Sequence, residues 1–104
     1  MEVTNVYLSD NIIDENVEML LRLANSKNLP LGYYVIVVSD KPEELLIMMG
    51  SSEVNTDRFI NKNYKIVGFG KGKLETKHLL QFMIEDILIN TGDVDKSKFL
   101  TIRN

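Results

Sequence analysis

The segment of this chain best suited to binding chemistry is Gly68-Phe69-Gly70-Lys71-Gly72-Lys73. It joins a predicted strand to the start of a predicted helix, where unpaired backbone N–H groups and the helix dipole favour an anion. Gly68, Gly70 and Gly72 would let the backbone approach a phosphate closely, and Lys71, Lys73 and Lys77 would add positive charge. The spacing is not that of a dinucleotide fingerprint, because the third glycine comes one residue early. Nor is it a Walker A loop, since Leu74 follows Gly72-Lys73 and Val67 stands where that loop needs glycine. The competing explanation is a tight strand-to-helix connection whose glycines relieve backbone strain or form a bulge.

Other reactive groups are sparse. His78 is the only histidine, the side-chain type that serves most often as a general base. At helical spacing it shares a polar stripe with Glu75, Gln81 and Glu85, which reads as a solvated face. No G-x-S-x-G elbow accompanies it, and neither Asp57 nor Arg58 belongs to a recognisable catalytic pattern. Asp93-Val94-Asp95-Lys96-Ser97 imitates the opening of a calcium loop, but Lys98 stands where that loop needs glycine and Asn104 where it needs glutamate. Asp40, Glu43 and Glu44 read as a charged turn. With no cysteine and one histidine, zinc sites built from those residues, iron–sulfur ligation, thiol catalysis and disulfide scaffolds are excluded. No catalytic residue, metal ligand or cofactor is assigned.

Charge is unevenly spread. Residues 1–52 carry three basic and eight acidic groups, and residues 53–104 nine basic and seven acidic, giving the net −3 of the whole chain. Arg58, Lys62, Lys65, Lys71, Lys73 and Lys77 have only Glu75 as a counter-charge within their own segment. Interleaved with Phe59, Tyr64 and Phe69, these residues have the composition of a nucleic-acid surface. Two observations argue against that reading. Strand alternation would send Tyr64 and Phe69 to opposite faces, and a sequence pI near 5.1 makes the long-range field repel a polyanion.

The apolar residues are more informative. Between Leu74 and Asn90, residues Leu79, Leu80, Phe82, Met83, Ile84, Ile87, Leu88 and Ile89 leave a narrow polar stripe. The first predicted helix likewise carries Ile12, Met19 and Leu23 outside its main stripe of Ile13, Val17, Leu20, Leu21 and Ala24. One sheet face cannot cover all of this apolar surface, so Phe82, Met83, Ile89, Met19 and Leu23 are assigned to a partner interface. Packing between the two helices within one molecule is the alternative.

The elements that would position these residues follow from periodicity and punctuation. Strands are predicted at Val3–Ser9, Tyr33–Ser39, Glu44–Gly50, Tyr64–Phe69 and Lys98–Ile102. Helices are predicted at Ile12–Lys27, capped by Ser9, Asp10 or Asn11, and at Leu74–Asn90, ending at Thr91-Gly92. Glu44–Gly50 is read as a hairpin strand because a helix there would be barely two turns long and without a polar face. A short helical turn is expected around Asp57–Asn61. The order β-α-β-β-β-α-β predicts one α+β domain over residues 1–104, a two-layer sandwich of ferredoxin-like character with a mixed sheet and two helices on one face.

The N-terminal residues lack the cationic and apolar regions of a secretory signal, and no apolar run approaches the ~18 residues of a membrane span. A cytoplasmic, non-catalytic interaction or regulatory domain is therefore expected, self-associating or docking a protein partner through its helical layer. A sensor of a phosphate-bearing small molecule, held at Gly68–Lys73, is the alternative.

Overall fold

The computed structural model describes residues 6–13, 15–39, 41 and 45–91. In chain order these form strand β1 (Tyr7–Leu8), helix α1 (Val17–Asn25), strands β2 (Tyr33–Val38) and β3 (Leu46–Gly50), short helices α2 (Ser51–Val54) and α3 (Asp57–Lys62), strand β4 (Ile66–Lys71) and helix α4 (Lys73–Thr91). The β-branched run of β2 lies inside the sheet, whose order is β1-β4-β2-β3. β2 is antiparallel to both β3 and β4, and β1 is parallel to β4. The α+β class and the mixed sheet are as the sequence reading expects, and within the span read as a hairpin strand the described residues Leu46–Gly50 form β3, paired with β2. The last predicted strand, the Gly92 cap and the Asp93–Ser97 segment lie outside the described residues, as do Asp40, Glu43 and Glu44.

The layering differs from expectation. Val35 and Val37 of β2 share a buried cluster with Leu20 and Ala24 of α1, Val54 of α2, Phe59 of α3 and Phe69 of β4. Ile36, which alternation turns to the opposite face, is buried with Val67, Leu79 and Met83. The two long helices, expected together on one face, thus cover opposite faces of the sheet. β2 is apolar throughout because it is covered on both sides.

A bulge in β4 decides which face its residues reach. Ile36 pairs with Gly68 but Val37 pairs with Ile66, so Val67 is an extra residue. Val67 and Gly68 consequently both face α4, whereas Ile66 and Phe69 belong to the α1 side. Tyr64 packs against that same cluster. The expectation that Tyr64 and Phe69 point to opposite faces is corrected by this one inserted residue.

Local capping explains the helix limits. The Asn16 side chain accepts a hydrogen bond from the Met19 amide at 3.1 Å, so α1 starts at Val17 rather than near Ile12. Ile12 is buried ahead of the helix, and Ile13, expected on the apolar stripe, is 81% exposed. Thr56 caps α3 by accepting from the Phe59 amide. The Asn55 side chain exchanges two 2.9 Å hydrogen bonds with the backbone of Leu29, tying the loop after α1 to the α2–α3 corner.

Candidate functional site

The glycine-rich segment is committed to packing. An added Cβ at Gly70 would meet Thr76 Cβ at 2.6 Å, and one at Gly68 would meet Met83 Sδ at 3.3 Å. Both glycines let α4 approach β4 closely. Gly72 adopts φ +92°, the left-handed turn that launches α4, and its N–H donates to Gly32 O at 2.7 Å. Thr76, fully buried, donates its hydroxyl back to Gly72 O at 2.6 Å. Lys73 and Lys77 are exposed on the first turns of α4.

Lys71 belongs to a polar lattice at the carboxyl ends of β1 and β4. Its N–H donates to Ser9 Oγ at 3.1 Å, Ser9 Oγ donates to Asn11 Oδ1 at 2.6 Å, and Asn11 Nδ2 donates to Lys71 O at 2.7 Å. Side chains thereby extend the β1–β4 pairing by one step. The Lys71 ammonium lies 3.2 Å from Glu15 Oε2 and 5.8 Å from the centre of the Tyr33 ring, and the Tyr33 hydroxyl donates to the same carboxylate oxygen at 2.8 Å. The Tyr33 hydroxyl, a backbone hydrogen bond and Lys71 hold Glu15 down to about 2. Burial and the adjacent carboxylate push the Tyr33 hydroxyl up, and the Glu15 carboxylate raises the Lys71 ammonium.

A cleft of about 310 Å³ opens between the end of β1 and the first half of α4. Tyr7, Asp10, Glu75, His78, Leu79 and Phe82 line it. Tyr7 and Phe82 meet edge-on with ring centres 6.2 Å apart, and the Tyr7 hydroxyl donates to Asp86 Oδ2 at 2.7 Å. Residues 75, 78, 79 and 82 follow helical spacing, so a single stripe of α4 forms one wall. His78, expected on a solvated stripe, is exposed at this cleft. A second cleft of about 360 Å³ lies at the α2–α3 corner, beside Arg58, Phe59 and Tyr64. Asp57 pairs instead with Lys27, which holds its carboxyl below the usual range. His78 on α4 thus lies at a different cleft from Arg58 of α3, and Asp57, next to Arg58 on that helix, is taken up by Lys27, so the three form no common catalytic group. Among the described residues, no cluster of three or more His, Cys, Asp or Glu could hold a metal ion.

The expected interface residues divide. Phe82 is 55% exposed and Ile89 80% exposed; seven residues apart, they lie on one stripe of α4. Met83 is fully buried against Gly68 and Ile36, so its assignment to an interface is corrected: it is core. Met19 is 46% exposed and Leu23 is half-buried, but both sit on α1, across the sheet from α4. Their surface cannot be continuous with that of Phe82 and Ile89 by way of a shared helical layer.

Tyr7 and Asp10 are missing from the sequence-derived site. Tyr7 lies within β1 and Asp10 shortly after it, and what either faces depends on which helix packs beside that strand. No protein-family model, curated protein or solved structure matches this chain. Among the described residues, no helix is long and apolar enough to cross a membrane.

Proposed function

We propose that this chain is a non-catalytic protein-interaction or regulatory domain that self-associates through the outward stripe of α4. The observation that carries this reading is the exposure of Phe82 and Ile89 on one line of a helix whose inner face is already packed on the sheet. Large apolar side chains grouped on a surface favour association, because water is released when they meet a like surface. Leu88 and Leu74, also exposed, lie seven residues either side of Gln81 on the neighbouring stripe of the same helix. A cytoplasmic location belongs to this reading and is supported by the cysteine-free composition.

The phosphate-sensor reading has weaker support, since the Gly72 N–H is bonded to Gly32 and Lys71 is paired with Glu15. Sedimentation velocity over micromolar concentrations tests the proposal. The native chain is expected to sediment as a concentration-dependent dimer, and Ile89→Asp as a monomer of unchanged circular dichroism. A native chain that stays monomeric throughout would defeat it.

A further inference from the structure

The cleft between β1 and α4 has a cause in the topology. β1 and β4 are parallel neighbours, yet the chain leaves β1 for α1 on one face and leaves β4 for α4 on the other. The carboxyl ends of β1 and β4 are tied together by Ser9, Asn11 and Lys71, so the cleft opens beside them, between edge strand β1 and the first half of α4.

We propose that this crevice binds a small organic cation, an ammonium or guanidinium group on a short carbon stem. Asp10 and Glu75 place two carboxylates on its lining, and no lysine or arginine lines it. Among the described residues, no hydrogen bond or ion pair engages the side chain of either acid. The rings of Tyr7 and Phe82 form an aromatic corner, which attracts a cation through the ring quadrupole, and Leu79 provides an apolar surface for a stem. The Tyr7 ring is held in place by its hydroxyl bond to Asp86. An anion would meet two carboxylates with the His78 imidazole as the one basic group on the lining, and a neutral molecule would leave both acids unanswered. The volume of about 310 Å³ is at the small end of ligand pockets, which suits a molecule of a few heavy atoms.

This site is independent of self-association, although Phe82 borders both surfaces. Backbone amide NMR of the full chain, titrated with diaminobutane, tests it, with butanediol and inorganic phosphate as controls. Saturable shifts are expected around Asp10, Glu75 and His78 with diaminobutane alone. The Asp10→Asn/Glu75→Gln variant should bind about tenfold more weakly or worse, while keeping the native spectrum elsewhere. A blocked lysine, acetylated at its α-nitrogen, separates the sources: tighter binding than diaminobutane assigns the cleft to a peptide side chain, and weaker binding to a free amine. The same response in Ile89→Asp separates cleft occupancy from association. Absence of saturation with diaminobutane, an equal response to butanediol or phosphate, or an unaffected double variant would each overturn the proposal.

Discussion

A carboxyl group whose hydrogen-bond partners favour its charged form gives up its proton readily, and Glu15 is such a group. Its folded-state value of about 2 lies below the ordinary 4.5. Between those limits the unfolded chain binds more protons than the folded one, so stability rises with pH across that interval and is lost as pH falls towards 2. Glu15→Gln keeps the shape of the side chain without the charge. Its acid-unfolding curve is expected to be flatter than the native curve between pH 4.5 and about 2, as read by denaturant titration at several pH values. Parallel curves would show that the Tyr33 and Lys71 contacts do not act on folding. The sequence places Glu15 in the first turn of a predicted helix, and nothing in its spacing connects position 15 to positions 33 and 71. That connection exists only because the β1–α1 loop crosses the ends of β2 and β4. Met83 shows the converse: its helical position is readable, but whether it meets a sheet or solvent depends on which face α4 covers.

At the level of elements, α4 sits on β4 through small residues. Gly70→Ala would drive a methyl group against Thr76, whose Cβ lies 2.6 Å from it, and overpacking of this kind destabilises by about 1–3 kcal/mol. Thr76→Ala in the same chain should restore only part of the loss, since the Cβ remains. Chemical denaturation of the single and double variants measures both quantities, and a Gly70→Ala chain as stable as the native one would refute the packing. This arrangement also explains why the glycine-rich run reads so easily as an anion loop. Strand, glycines and helix start follow in the same order in both cases, and only the partner of Gly70, a buried Thr76, distinguishes them. The strand at Leu46–Gly50 was legible because a two-turn apolar helix has no face to leave in water. The bulge at Val67 was not, because an added residue leaves no mark on composition, and it reverses the face of everything before it.

For the molecule as a whole, the apolar surplus on the helices was legible and its distribution was not. The unbroken apolar run Tyr33–Val38 is the sequence counterpart of a sheet covered on both sides, and a separate sheet face for each long helix hides Met83 and Leu79 while leaving Phe82 and Ile89 outside. Chain connectivity has a further effect. Tyr7 and Leu8 pair with Gly68 and Phe69, so the first strand can close only after most of the described chain has been synthesised and folded, whereas β2 finds β3 across a short connection. A late, two-residue addition at the margin of a sheet is also the first part to detach. The Ser9 amide, which donates to Phe69 O at 3.1 Å, is expected to exchange with deuterium well before the amides of Val35 and Val37, and equal protection would contradict this order of release. One wall of the crevice is therefore hinged to the weakest seam of the fold, so that whatever settles there would slow the opening of the N-terminal strand.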